Sequence, residues 1–113
     1  MGLYKIQAWL TDRVTISRRN QTQDNFGGFS ETFEDILFSV PARLWIISGR
    51  KERNVAGEMY LPTMKMVVES MVDIRMADRV KVENDTYIVL SVYDRKSISK
   101  TEFLDVLLGR VDA

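Results

Sequence analysis

The chain of 113 residues carries 16 basic and 16 acidic side chains, no cysteine and no histidine. That length favours one domain able to bury its own core. The missing residue types exclude disulfide and cysteine–zinc scaffolds, Ser-His triads and most transition-metal sites, and the balanced charge leaves no strong electrostatic footprint for nucleic acid or membrane.

No apolar stretch approaches the length of a membrane-spanning helix. The opening MGLYKIQAWL has neither the long apolar core nor the small-residue cleavage site of a signal peptide, so a soluble intracellular protein is expected. From there on the dominant hydrophobic period is two. In RVTIS, Val14 and Ile16 fall on one side and Arg13, Thr15 and Ser17 on the other, which predicts a strand. Arg18 and Arg19 read as the end of that strand, where charge blunts an edge.

The stretch DNFGGFSETF, residues 24–33, sets Gly27 and Gly28 between Phe26 and Phe29. Glycine takes positive φ without a steric cost, so the pair predicts a corner leading into a second strand over residues 30–40. Asp24 and Asn25 suit the same turn, and Phe26 and Phe29 are placed to cap an open barrel end. Pro41 predicts the start of a further strand, ARLWII, with Ala42, Leu44 and Ile46 on one face and Trp45 and Ile47 on the other.

Residues 48–62, SGRKERNVAGEMYLP, break the alternation. Their glycines, proline and charges predict an extended loop, in which KERNVAGE has room for one or two helical turns. A loop of this length in a small domain commonly carries function, and a long charged loop is expected to gain order only on assembly.

Period two returns in TMKMVVE, where Met64, Met66 and Val68 alternate with Lys65, Val67 and Glu69, and in RVKVE, where Val80 and Val82 alternate with charged neighbours. Asn84 and Asp85 tolerate left-handed geometry and predict a tight turn into TYIVLSVYD, rich in β-branched and aromatic residues. The two segments predict a β-hairpin. TEFLDVLLGRV fits a short helix or a final strand, and its β-rich surroundings favour the strand. The sum is five to seven strands: an all-β, small antiparallel barrel or sandwich, one domain over residues 1–113 with an extended loop at about 48–62.

Little here argues for catalysis. Asp73 and Asp78 flank DIRMAD without a calcium-loop glycine pattern and read as turn residues at strand ends. GRKERNVAG lacks the Gly-Lys-Ser/Thr ending of a phosphate-binding loop. No catalytic residue, cofactor or metal ligand is predicted. Arg50, Lys51 and Arg53 form a basic cluster that Glu52 interrupts, with Glu58 near; a solvated loop is the simpler reading, phosphate contact the other. Trp45, Tyr87, Tyr93 and Phe103 suit core and interface packing, with base stacking in a single-strand nucleic-acid-binding barrel as the alternative. The six methionines read as flexible packing.

The order of these pieces resembles the small head–tail joining proteins of tailed bacteriophages, also called head-closure, stopper or connector proteins. The resemblance rests on the Asp-x-x-Gly-Gly corner from Asp24 to Gly28, on PARL from Pro41, on Ile74 and Arg75, and on DRVKVENDTYIVLSV from Asp78 to Val92. It spans roughly residues 12–110. It implies a non-enzymatic barrel subunit that forms a ring below the portal or its adaptor after DNA packaging, holds the DNA in and offers the tail a surface. The implied partners are copies of itself, the portal or adaptor above, a tail or tail-completion protein below, and DNA in the channel lumen. No membrane is involved; the implied location is the virion, after assembly in the bacterial cytoplasm. On this reading Arg50, Lys51, Glu52, Arg53 and Glu58 are the interface residues of the loop, and Gly27 and Gly28 serve turn geometry. Tail-completion proteins share such small β-folds and stay open as an alternative layer.

Overall fold

Alternating apolar residues become barrel staves when every second side chain can point at a common axis. In the computed structural model, which describes residues 10–23, 29–49, 51–55, 57–96 and 101–111, they do so. The strands are β1 (Asp12–Gln23), β2 (Phe29–Ile46), β3 (Arg53–Val55), β4 (Glu58–Tyr60), β5 (Pro62–Glu69), β6 (Arg79–Val82), β7 (Asp85–Lys96) and β8 (Thr101–Arg110). Six of them close an antiparallel barrel in the order β1-β2-β5-β8-β7-β6, and β3 and β4 form a separate two-stranded sheet. The barrel alternative is the one realised, and the ambiguous last stretch is a strand.

The interior is filled by Val14, Ile16, Ala42, Met66, Val68, Val80, Val106 and Leu108, all at most 2% exposed. Burying each of these side chains except that of Ala42 contributes about 1.5–3 kcal/mol. In β7 the inward register changes partway. An extra residue between Val89 and Ser91 lets Tyr87 and Val89 face the core and then Val92, while Ile88 and Leu90 face outward into a second small cluster.

Three local expectations are corrected. Residues 30–40 and the ARLWII segment are one strand, because the backbone runs extended through Pro41, which pairs with Arg13. Two register shifts, between Val14 and Ser17 on the β1 side, bend β2 there, with Ser39 at φ 49. The β6–β7 turn falls on Glu83 and Asn84, with Glu83 at φ 54, because Val82 pairs with Asp85 and keeps Asp85 in the ladder. Packing also treats the methionines unequally: Met66 is buried, whereas Met59, Met71 and Met76 are 55%, 80% and 59% exposed.

β1 does not stop at Arg18. It pairs with β6 only over Thr15, Ser17 and the residue between, and β2 pairs with β5 only from Ala42 to Ile46. Beyond those limits the two strands pair only with each other, from Arg18 opposite Glu34 to Gln23 opposite Phe29. The result is a two-stranded ribbon of roughly 20 Å standing out from the barrel, in a molecule whose extents are 55 × 31 × 29 Å. The residues flanking the predicted corner therefore sit at the ribbon's far end. Phe29 is remote from the barrel rim it was expected to cap. Phe26, Gly27 and Gly28 lie outside the described residues.

Candidate functional site

Among the described residues two features leave the barrel: the ribbon and the segment 48–62. An isolated two-stranded ribbon is marginal in water, so it needs anchors at its base. Arg18 supplies one. Its Nε and Nη2 donate to the two carboxylate oxygens of Asp78 at 3.0 and 2.9 Å, and its Nη1 donates to Asp73 at 3.1 Å. Asp78 is 3% exposed and also accepts the Arg75 backbone N–H at 2.9 Å. A bidentate, largely buried guanidinium–carboxylate pair is both strong and geometrically specific. It raises the Arg18 pKa further above its ordinary value, and the bond from Arg18 holds the Asp73 carboxyl below the usual carboxylate range. The aspartates read from sequence as turn residues are thus the clamp that ties the 73–78 turn to the ribbon base.

A second anchor lies across the strand bend. Lys81 Nζ donates to Asp35 at 2.8 Å and the Ser17 hydroxyl donates to the same oxygen. Lys81 first, then Ser17, draws the Asp35 pKa down. A third is Arg79, whose guanidinium rests on the Phe33 ring at 4.1 Å and whose Nε has no hydrogen-bond partner among the described residues.

The segment 48–62 was expected as an extended loop with room for one or two helical turns. In the single chain it is instead a hairpin, β3 paired with β4 through Arg53–Tyr60, Asn54–Met59 and Val55–Glu58. A local turn starts the hairpin and a distant contact holds it. Asn54 Oδ1 accepts the Gly57 N–H at 3.3 Å, and Gly57 takes φ +86, a turn that competes with helix. Val55, β-branched and 3% exposed, then packs on Ile88 and Leu90 outside the barrel, beside Tyr60, Ala77, Leu107 and Val111.

Close approach fixes the hairpin's base. A Cβ on Gly109 would lie 3.1 Å from Tyr60 Cβ and 3.3 Å from the Leu61 carbonyl, and one on Gly49 would lie 2.7 Å from Pro62. The Tyr60 hydroxyl donates to Glu58 at 2.9 Å. Burial, then that bond, pushes the phenol pKa up, while the nearby Arg79 charge acts the other way. Arg79 therefore lies between the ribbon, through Phe33, and the hairpin, through Tyr60.

The predicted interface residues separate on this frame. Lys51, Glu52, Arg53 and Glu58 are exposed on the hairpin and its approach, and Arg50 lies outside the described residues. Sequence reasoning missed Phe33, Tyr60, Asp78 and Arg79 as the residues that position both features. One signal was present: polar runs of similar length on either side of the glycine pair are the mark of a two-faced polar ribbon. Of the candidate stacking aromatics, Tyr87 is buried at 7% and Tyr93 is 66% exposed. Among the described residues no group of acidic, histidine or cysteine side chains is placed to hold a metal, and no helix is long and apolar enough to cross a membrane.

The sequence profile of the phage head completion proteins matches residues 7–109, and the chain belongs to that family. It is a structural protein of the phage head–tail region. Its fold is similar to that of the xkdH protein of the phage-like element PBSX from Bacillus subtilis, at 17% identity over 88% of this chain and 92% of that one, with a TM-score of 0.56. It is also similar to a chain from the virion of a native gene transfer agent particle, at 17% identity over 90% and 96% of the two chains, with a TM-score of 0.53. No curated protein sequence matches the chain.

Proposed function

We propose that this protein forms a ring at the head–tail junction of a phage or prophage particle, closes the portal channel after DNA packaging and presents the surface to which the tail attaches. The observation that carries the reading is the match to the head completion family over residues 7–109. The fold is compatible with it. A closed barrel resists distortion, and side extensions on such a body are suited to grip neighbours. The balanced charge, 16 basic against 16 acidic, favours protein–protein contacts over tight DNA binding.

The partners are copies of the chain, the portal or its adaptor above, and a tail or tail-completion protein below, with DNA in the lumen. Lys51, Glu52, Arg53 and Glu58 offer the hairpin's contacts. On this reading the protein acts as a virion component without enzymatic activity, assembled in the host cytoplasm. The test is a nonsense codon at Trp45 in the parent phage, followed by electron microscopy of the lysate. Free tails beside tailless heads that have lost their DNA are expected. Intact virions would remove the role.

A further inference from the structure

A groove of about 610 Å3 runs beside the hairpin. Glu58, Met59, Tyr60 and Leu61, which are β4 and its continuation, all line it. Side chains alternate between the two faces of a strand, so a hollow that meets four successive residues meets the chain along its edge. Among the described residues β4 pairs only with β3, which leaves that edge open. Alternate residues along an open edge turn their N–H and C=O outward. A residue in a strand fills roughly 160 Å3, from a rise of about 3.3 Å and spacings of about 4.8 and 10 Å. The groove therefore takes about four residues of an extended chain.

Two buried polar atoms in its lining have no hydrogen-bond partner among the described residues: Arg79 Nε and Thr63 Oγ1. Buried polar groups are nearly always satisfied, so two left over in one groove mark a place where a ligand supplies the partners. Arg79 is also a cation outside the ion pairs that surround it. Arg18 holds Asp73 and Asp78, Lys81 holds Asp35, and Arg110 holds Asp85. A guanidinium is matched best by a carboxylate, in the bidentate manner already seen between Arg18 and Asp78.

The rest of the lining selects among anions. Glu52 and Glu58 are exposed there, and Glu58 accepts the Tyr60 hydroxyl. A nucleic-acid strand carries a phosphate at every residue and would draw its charges past both glutamates. A peptide can carry one carboxylate and set neutral residues beside them. Met59 and Leu61, 55% and 45% exposed, offer those neighbours apolar contact. We infer that the groove binds an extended peptide of another protein chain, which adds as a strand to the open edge of β4 and sets a single aspartate or glutamate carboxylate on Arg79, beside Thr63. Main-chain bonds to β4 supply affinity in such a contact, and the carboxylate supplies specificity. The groove is complete in one chain, so binding does not require the ring.

The probe is a peptide of alternating threonine and valine with one central glutamate, blocked at both ends and titrated into the isotope-labelled full chain. Heteronuclear NMR is expected to show the Arg79 Nε–H signal and the amides of residues 58–61 shifting together. The same peptide with glutamine in place of glutamate should bind about tenfold more weakly, the difference expected when a charged acceptor is lost. Arg79→Gln should abolish that preference. Met59→Glu adds a like charge on the exposed part of the groove and should weaken the glutamate peptide without touching the core, which keeps the test valid if Arg79→Gln disturbs folding. Methylating the peptide's backbone nitrogens should remove binding by strand addition. Equal affinity for the two peptides, a preference that survives in Arg79→Gln, or no shift at millimolar peptide overturns the inference. A thymidine oligonucleotide that moves the Arg79 signal at lower concentration than the peptide makes the occupant a nucleic-acid backbone and overturns it too.

Discussion

Replacing Asp78 with alanine removes the acceptor on which the ribbon base depends. The Asp78 side chain is 4% exposed and receives two bonds from Arg18 at 3.0 and 2.9 Å and one from the Arg75 backbone at 2.9 Å. Breaking a buried ion pair by deleting one partner costs about 3–5 kcal/mol. Arg18 is 24% exposed and keeps Asp73 and water as partners, so the lower end applies, about 3 kcal/mol. For a domain of this size about 4 °C of melting temperature accompanies each kcal/mol, which predicts a fall of about 12 °C. Far-UV circular dichroism melts at neutral pH check it, with Asp73→Ala as the control. The Asp73 side chain is 56% exposed, so its loss should move the melt by a small fraction of that amount. A melting temperature for Asp78→Ala within about 2 °C of the wild type would refute the reasoning, because the clamp would then contribute under 1 kcal/mol.

Gly109→Val should push Tyr60 and Leu61 away from β8, since even a Cβ there meets them at 3.1 and 3.3 Å. A loss of about 1–3 kcal/mol is expected by chemical denaturation. Val55→Asp places a charge against Ile88 and Leu90 and should release the hairpin while the barrel stays folded. Hydrogen exchange would show residues 53–60 losing protection, with the β5 and β8 amides unchanged. A third test uses acid. Arg18 and Lys81 hold the Asp73 and Asp35 carboxyls below their ordinary values, so the folded state binds protons less readily than the unfolded chain there. That stabilisation is present above about pH 4, the unfolded carboxylate value, and is lost as pH falls through the lower folded values. The melting temperature should decline below about pH 4, and less steeply in Asp35→Asn carrying Asp73→Asn than in the wild type.

The staves were legible because period two is a property of the chain itself. A residue such as Val80 or Val106 can enter the core only if its neighbours along the strand face out. The hairpin was not legible. KERNVAGE has helical composition, and its conformation is decided by Val55 meeting Ile88 and Leu90, which lie over thirty residues away in the chain and face outward only in the finished barrel. The ribbon anchors were hidden for the same reason. Arg18 and Asp78 are 60 residues apart, and nothing in either neighbourhood specifies the other.

By itself, then, the sequence determined the class of element, the inward face of most strands, the absence of cysteine and histidine chemistry, and the order of motifs that resembles the head–tail joining proteins. Tertiary structure decided where β1 and β2 part company with the barrel, which side the 48–62 segment folds onto, and which charges are spent holding the ribbon. The division follows from range. Side-chain alternation is encoded between adjacent residues, whereas strand partnership, edge exposure and ion pairing exist only after distant segments have closed on one another.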